Sequence, residues 1–263
     1  MRDFKGISGV PDFSCEEYSK KSSGCCVLIP VINENGRLKN ELGRALTAGI
    51  DKKADIIICD GGSSDGSVES SLLKSLKVNA LLVKKGPGRQ GAQLRMGFWW
   101  ALRCGYERFI TIDGNDKDSI ESVPLFIEKL GEGADFVQGS RFIKGGAAVN
   151  TPISRLLAVR LIHAPVCSLA AGFRFTDTTN AFRGYSRRYI ESADIFREVF
   201  SGYELLAYFS TAWAKLGLSA CEVPVRRAYP EKGAVPTKIS PIKGSFELLK
   251  VLFKNARGGY DPK

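Results

Sequence analysis

Histidine, methionine and long apolar runs are scarce in this chain. His163 is the single histidine, and there are 2 methionines among 263 residues. His163 lies in the apolar stretch LLAVRLIHAPV, where a packing role is expected, so a Ser-His-Asp triad and a multi-histidine zinc centre are excluded. No stretch reaches the roughly 18 consecutive apolar residues of a membrane span, and the N-terminus lacks the apolar core of a secretion signal.

The cysteines lack the arrangement of a disulfide framework. The chain has 7 of them, an odd number, and no two form a C-x-x-C pair. Cys25 and Cys26 adjoin inside an apolar strand, which is typical of buried free thiols in a reducing compartment. We therefore expect a cytoplasmic protein.

Composition and charge narrow the class further. With 44% hydrophobic and 25% charged residues, the chain is typical of a globular protein, which excludes disorder, collagen and a coiled coil. It has no internal repeat or clear linker, so we expect one domain over residues 1–263. The net charge of +10 favours an anionic partner, namely nucleic acid, a phosphorylated metabolite or an acidic membrane face. A basic surface that serves solubility is the alternative.

Apolar strands alternate with amphipathic helices through the first half. The predicted strands are 27–31, 56–59, 80–83 and 109–112, with another opening at 136, and the predicted helices are 37–49, about 94–102 and 123–130. The second half is predicted to hold helices at about 153–167 and 203–216, a strand at 221–225 and an amphipathic segment at 245–256. Strands that are apolar on both faces predict an α/β fold, with a mostly parallel sheet covered by helices on both faces.

Polar side chains follow three of these strands. Asn33 and Glu34 follow the first, Asp60 the second and Asp113 the fourth. Because ligands of parallel sheets bind beyond the carboxyl ends of the strands, these acids are expected to converge on one crevice. The glycine-rich turn at 60–67, DGGSSDGS, adds Asp65, whose carboxylate is able to accept hydrogen bonds from a sugar or a base. A purely structural turn explains the glycines equally well.

Oxygen ligands cluster in the stretch DGNDKD at 113–118. Mg²⁺ and Mn²⁺ bind carboxylate and amide oxygens and bridge them to substrate phosphates. The stretch lacks the spacing of a calcium-binding EF-hand loop, so the alternative is a solvated acidic turn.

Basic residues occupy the connecting loops and suit phosphate binding: Lys84, Lys85, Arg89, Arg95, Arg141, Lys144, Arg155, Arg183, Arg226, Arg227 and Lys238. The loop GPGRQG at 86–91 matches neither a P-loop nor a Rossmann fingerprint.

Over roughly residues 24–245, these motifs resemble the inverting family 2 glycosyltransferases of the nucleotide-sugar-binding GT-A fold, most of all the polyprenyl-phosphate branch of the dolichol-phosphate mannose synthase type. VLIPVINE, with Pro30, Asn33 and Glu34, resembles the opening V-I-P-x-x-N-E motif. The turn at 60–67 resembles D-D-G-S-x-D-G-T, whose acids hold the nucleoside. Asp113 and Asn115 fall on the D-x-D motif that binds the metal and the diphosphate.

The second half resembles the lipid-phosphate branch more selectively. GSRFIKGG at 139–146 is similar to G-S-R-Y-x-x-G-G, and the resemblance implies that Arg141 and Arg155 face the acceptor phosphate. DTTNAFR, ending at Arg183, resembles D-x-x-x-G-F-R, and EVPV at 222–225 with the later PTK resembles the strand and the loop that place Lys238 over the phosphates. The implied division is a nucleotide-sugar half (24–140), an acceptor half (141–245) and a C-terminal amphipathic segment (245–263).

The chain departs from the family pattern at the metal motif. The second acid of D-x-D is the neutral Asn115, and Lys117 replaces a frequent glutamine. Either Asp116 or Asp118 supplies the missing charge, or Lys117 partly replaces the cation. The C-terminal membrane helices of many such synthases are also absent, so the basic surface and the 245–256 segment are expected to make peripheral contact with the inner face of the cell membrane.

The resemblance implies transfer of a sugar from a UDP- or GDP-linked donor to a lipid phosphate in cell-surface glycan synthesis, with Mg²⁺ or Mn²⁺ as cofactor. Glu34, Asp60, Asp65 and Arg89 would hold the nucleotide, and no general base is needed because the acceptor phosphate is already anionic. The main alternative is a hydroxyl acceptor, for which Glu204 would serve as base. A nucleotidyltransferase, a basic RNA-binding domain and a catalytically dead scaffold are remoter alternatives; we expect no nucleic-acid partner.

Overall fold

A nine-stranded sheet forms the centre of the protein. The computed structural model describes residues 1–230 and 243–262. The strands of the central sheet are β1 (Arg2–Phe4), β2 (Phe13–Glu17), β3 (Cys25–Val31), β4 (Asp55–Asp60), β5 (Ala80–Lys84), β6 (Arg108–Thr111), β7 (Phe136–Ser140), β9 (Arg183–Ser186) and β10 (Ala220–Pro224). Two short strands, β8 (Ala147–Val149) and β11 (Arg226–Ala228), pair with each other in parallel beside it.

Helices cover both faces of this sheet. They are α1 (Gly36–Thr47), α2 (Ser70–Ser75), α3 (Gln90–Arg103), α4 (Val123–Gly131), α5 (Ile153–Ala158), α6 (Ala164–Ala171), α7 (Arg187–Ser192), α8 (Glu204–Lys215) and α9 (Lys243–Ala256), with short 3-10 turns at Ile50–Lys52 and Ile120–Ser122. A π-helical turn, Val159–His163, joins α5 to α6.

The strand order is β1-β2-β5-β4-β3-β6-β9-β7-β10. Among the described strands of this sheet, only β2 and β9 run against the others, which confirms the predicted mostly parallel α/β architecture. The sequence did not indicate β9, because RGYS is short and contains a glycine. It is inserted between β6 and β7, where Tyr185 lies opposite both Phe109 and Phe136.

The core has one layer on each side of the sheet. Alternate residues of β3 enter different layers: Val27 and Ile29 pack with α1 and α4, whereas Cys26 and Leu28 pack with α3 and α8. This double burial explains why the strands read as continuous apolar runs. All 7 cysteines are free, as expected, and five of them are buried.

Several predicted elements have different bounds in the structure. The helix expected at about 153–167 is the continuous run α5, π-turn and α6, which ends at Ala171 where Gly172 takes a left-handed φ of 64°. The first helix ends at Thr47 instead of residue 49. The N-terminal strands β1 and β2 were not predicted; they extend the sheet beyond β5.

Phe98 tests the core layer under α3. Its ring is fully buried and meets Phe109, Tyr185 and Phe209 edge to face. Phe98→Ala is expected to lower the free energy of unfolding by about 3–5 kcal/mol, since the packing and the cavity both cost energy. Urea denaturation measures the loss. Leu46→Ala, at a side chain exposed on α1, is the control and should cost less than about 1 kcal/mol.

Candidate functional site at the carboxyl ends of the strands

The loops that follow β3 and β4 are bonded to each other. The main-chain N–H of Asn33 donates to Ser63 Oγ at 2.9 Å, and the N–H of Ser64 donates to Asn33 Oδ1 at 2.8 Å. Asn35 N–H donates to Asp65 Oδ2 at 2.6 Å. Both asparagines have φ near 50°, a left-handed conformation that asparagine adopts more readily than most residues. The two sequence motifs therefore form one continuous rim.

Asp60 and Asp65 use their carboxylates to shape the glycine-rich turn. Asp60 is buried and accepts from the N–H groups of Gly62 and Ser63, both at 3.0 Å, and from Ser63 Oγ at 2.6 Å. Asp65 accepts from Ser67 Oγ at 2.6 Å. Burial opposes ionisation of Asp65, but the hydrogen bonds from Ser67 and Asn35 outweigh it and lower its pKa. Both acids lie at the predicted edge of the sheet, and their carboxylates accept hydrogen bonds from the turn that contains them.

Four other residues are predicted to hold the nucleotide, and the structure describes three of them, Pro30, Glu34 and Arg89. Pro30 is buried in β3 opposite Cys59 of β4. Glu34 is buried and pairs with Arg37 at 2.9 Å. Arg89, just before α3, is exposed, and its Nη1 lies 3.7 Å from Glu247 Oε1. Lys238 lies outside the described residues, so its predicted role stays a prediction.

Asp113 lies two residues beyond β6 and accepts three hydrogen bonds. Its Oδ1 accepts from Gln90 Nε2 at 2.8 Å. Its Oδ2 accepts from Arg227 Nη2 at 3.2 Å and from Asn115 Nδ2 at 3.4 Å. Gln90 and Arg227 come from α3 and β11, so three distant segments of the chain meet at this carboxylate.

The two acids that the sequence offered as substitutes in the metal motif have other partners. Asp116 has a φ of 60° and turns towards α1, where it pairs with Arg44 at 2.9 Å. Asp118 is fully buried and pairs with Arg227. Burial raises the pKa of Asp118, although Arg227 acts to lower it. A role for Lys117 as a partial replacement of the cation stays a prediction.

The donor set for a divalent cation consists of two residues. Asp113 is one, and Asn115 is the other, since its Oδ1 is buried and lacks a hydrogen-bond partner in the described chain. An unpartnered amide oxygen beside a carboxylate fits a hard cation that takes its other ligands from a substrate. Residues 1–230 and 243–262 contain no group of three or more His, Cys, Asp or Glu side chains placed to hold a metal by themselves.

The predicted acceptor arginines have different surroundings. Arg141 is buried and forms a bidentate ion pair with Asp177, at 2.6 and 2.9 Å. Arg183 is fully buried and donates to the main-chain carbonyls of Asn180 at 3.0 Å and Thr178 at 2.8 Å, and to that of Leu206. These two guanidinium groups therefore bind the 177–183 segment, and their predicted contact with an acceptor stays a prediction.

Arg155 is the least buried of the three arginines predicted to bind the acceptor. It is half-buried at the start of α5, and its Nη1 donates to the hydroxyl of Tyr229 at 2.9 Å. Burial opposes ionisation of Tyr229, but Arg227 and Arg155 outweigh it and lower its pKa. Burial raises the pKa of Tyr203, as does the nearby Asp113 carboxylate, while Arg89 and Arg155 act against them. The charges of Asp113, Arg89 and Arg155 thus act on one tyrosine.

Glu204 begins α8 beside this group. Its Oε2 accepts from the main-chain N–H of Gly202 at 2.6 Å. A carboxylate that closes its own loop in this way is less available as a general base. The observation gives no support to the hydroxyl-acceptor alternative.

The sequence analysis did not single out Gln90 or Tyr229, and it did not distinguish Arg227 from its neighbour Arg226. Gln90 lies one helical turn before Gln93, which donates to Val31 O at 2.6 Å and to Cys59 O at 2.8 Å. One face of α3 therefore binds the ends of β3 and β4 and, through Gln90, the Asp113 carboxylate beyond β6. Alternation along β11 would have separated Arg226, which is exposed, from Arg227, which is buried.

The chain has relatives among proteins of known function. No protein-family model matches the chain. It is 28% identical over 237 residues to polyprenol monophosphomannose synthase of Mycolicibacterium smegmatis, covering 89% of this chain and 86% of that protein. It is 28% identical over 209 residues to undecaprenyl-phosphate mannosyltransferase of Micrococcus luteus, covering 78% and 84%.

The solved structures give the same fold. Glucosyl-3-phosphoglycerate synthase of Mycobacterium tuberculosis, in complex with Mn²⁺, UDP-glucose and phosphoglyceric acid, superposes with a TM-score of 0.60 at 17% identity, over 89% of this chain and 79% of that one. The chain therefore has the GT-A fold. Its sequence relatives include polyprenyl-phosphate mannosyltransferases, which confirms the resemblance read from its motifs.

The arginines of the second half differ in burial, so their removal is expected to cost different amounts of stability. Arg183→Met should lower the free energy of unfolding by about 3 kcal/mol or more, because three buried carbonyls lose their donor. Arg155→Ala should cost less than about 1 kcal/mol, since its side chain is half-exposed. Thermal and urea unfolding of both variants measures the contrast. Equal losses would contradict the division of roles.

Proposed function

We propose that this protein transfers a sugar, with inversion, from a nucleotide-diphosphate sugar to a polyprenyl phosphate in cell-surface glycan synthesis. The observation that carries the proposal is the meeting of Asn33, Asp60 and Asp113 at adjacent parallel strand ends, in a chain related to polyprenyl-phosphate mannosyltransferases. Glycosyl transfer needs a polar crevice for the donor and a cationic group for the acceptor phosphate. We assign the first to the nucleotide-sugar half (24–140) and the second to the acceptor half (141–245).

The donor nucleotide would lie against the rim formed by the 33–35 and 60–67 loops. Glu34, Asp60 and Asp65 shape this rim, and Arg89 is exposed beside it, so a UDP- or GDP-linked sugar with an anionic diphosphate suits the charges. The diphosphate would then reach towards Asp113. We assign Lys238 to the phosphates on the resemblance alone.

A divalent cation, Mg²⁺ or Mn²⁺, is the proposed cofactor. Asp113 and Asn115 would hold it, and the donor diphosphate would complete its coordination. Bound there, the cation would neutralise charge on the departing nucleoside diphosphate. The M. tuberculosis structure with Mn²⁺ and UDP-glucose supports a cation in this fold in general.

The chemical step would be a single in-line displacement. A phosphate oxygen of the acceptor attacks the anomeric carbon, the bond from that carbon to the diphosphate oxygen breaks, and the nucleoside diphosphate leaves. The phosphate nucleophile is already anionic near neutral pH, so no general base is required. Arg155 would position the acceptor phosphate, and the rate gain would come from placement and charge stabilisation.

Two variants distinguish a phosphate acceptor from a hydroxyl acceptor. Arg155→Ala should lower kcat/KM for a short-chain polyprenyl phosphate by about 10- to 100-fold, the effect of losing a charged hydrogen bond. Glu204→Gln should stay within about threefold of wild type, because the mechanism needs no carboxylate base. Radiolabelled sugar transfer from UDP- and GDP-sugars is the measurement. Loss of activity in Glu204→Gln with Arg155→Ala unaffected would favour the hydroxyl acceptor.

The apolar surface of the α5–α6 helix is the proposed membrane contact. Over Ile153–Ala171 this helix is long and apolar enough to cross a membrane by length and composition alone. Its buried side, with Val159 and Cys167, packs on the protein, and Arg155 at its start is bonded to Tyr229. We propose that a helix with these contacts lies on the bilayer surface.

The exposed side of that helix is strongly apolar. Leu157, Leu161 and Leu169 are 47%, 68% and 86% exposed, and Arg160 between them is exposed as well. Helix α9, the segment expected to touch the membrane, packs against α6 and exposes Phe246 and Phe253. We therefore place the protein on the cytoplasmic side, peripherally bound to the inner face of the cell membrane, with anionic lipid as its partner.

Replacing the leucines tests this surface. The triple variant Leu157→Gln, Leu161→Gln, Leu169→Gln should bind vesicles containing phosphatidylglycerol at least about tenfold more weakly, because each leucine loses part of its transfer free energy. Co-sedimentation measures the binding. Leu216→Gln, which changes a leucine exposed on another element, is the matched control. Unchanged binding of the triple variant would contradict the proposal.

A further inference from the structure

The carboxylate of Asp113 is occupied mainly by donors from the protein itself. Gln90, Asn115 and Arg227 all donate to it, at 2.8, 3.4 and 3.2 Å. A carboxylate offers about four lone-pair sites, so three of them are already used. A metal ion would have to share or displace these donors.

Arg227 is fixed in this position by a second acid. Its Nη1 donates to Asp118, which is fully buried, while its Nη2 reaches Asp113. Arginine keeps its charge in proteins, so the side chain is a permanent cation that bridges two carboxylates.

Two basic side chains accompany the acids around Asp113. Arg227 bridges Asp113 and Asp118, and Lys117 is buried next to Asp118 in the sequence. Lys117 Nζ lies 5.2 Å from the ring centroid of Tyr229. The neutral Asn115 in the metal motif leaves this cluster with one acid fewer than a D-x-D motif would give it.

We propose that Arg227 is a resident cation of the diphosphate site, which holds Asp113 in place and makes binding of the nucleoside diphosphate independent of a divalent ion. The inference rests on the proposed function, because it concerns the same donor site. In this role, Arg227 acts by positioning the Asp113 carboxylate. A bound Mg²⁺ or Mn²⁺ then serves the leaving group and is not needed to assemble the site.

Calorimetric titration with UDP and GDP, in EDTA and in Mn²⁺, tests this role. For the wild-type protein, the Kd of whichever nucleotide binds should differ by less than about threefold between the two conditions. Arg227→Met alone would leave Asp118 buried and unpaired, so the informative variant is Arg227→Met with Asp118→Asn, which removes both charges together. This double variant should bind the nucleotide at least about tenfold more tightly in Mn²⁺ than in EDTA.

Two further variants separate charge from structure. Arg227→Lys keeps the positive charge and should keep the metal-independent binding. Arg226→Met changes the exposed neighbour on β11 and should behave as wild type. Electron paramagnetic resonance of Mn²⁺ without nucleotide gives a second readout, in which the double variant should bind the ion more tightly than wild type does.

The outcomes are distinct. Wild-type binding that is lost in EDTA, or a double variant indistinguishable from wild type in both readouts, would overturn the role of Arg227 while leaving the donor site intact. Failure of Arg227→Lys to keep metal-independent binding would also overturn it. Absence of nucleotide binding in either condition would overturn the donor site itself, and the proposed function with it.

Discussion

The parallel register of β3, β4 and β6 is the constraint on which the rest of the site depends. Val31 lies opposite Asp60, and Leu28 opposite Thr111, so the loops that leave these strands begin side by side. Helix α3 crosses their ends, where Gln93 binds the carbonyls of β3 and β4 and Gln90 binds Asp113. Three acidic loops that are far apart in sequence become neighbours because the backbone hydrogen bonds of the sheet fix the register of the strands that they follow.

Most of this architecture could be predicted from the sequence because its signals are local. The apolar runs of β3 and β4 indicated doubly buried strands, and helical spacing of Leu38 and Leu42 indicated α1. Asn33, Asp60 and Asp113 could be placed at strand ends from their positions alone. The weak elements, such as β9, form only because neighbouring strands supply hydrogen-bond partners, which no local pattern reports.

The sequence did not allow the ion-pair partners of the charged side chains to be predicted. Arg141 and Asp177 are 36 positions apart, and Arg227 and Asp113 are 114 apart, so folding alone brings them together. Motif resemblance treated Arg141 and Arg155 alike, although the first forms a buried ion pair and the second is half-exposed and donates to Tyr229. Burial decides which arginine is available to a ligand, and burial is a property of the packed chain.

The π-helical turn at Val159–His163 has a geometric consequence for the surface beside it. In a regular helix of 3.6 residues per turn, side chains spaced by four residues drift round the axis by about 40° at each step. Ile153, Leu157, Leu161 and Leu169 follow that spacing and would wind away from one another. A π-helical turn advances less than 100° per residue, so it offsets part of this drift. One backbone irregularity thus narrows the arc over which exposed apolar side chains of two helical segments spread around a common axis.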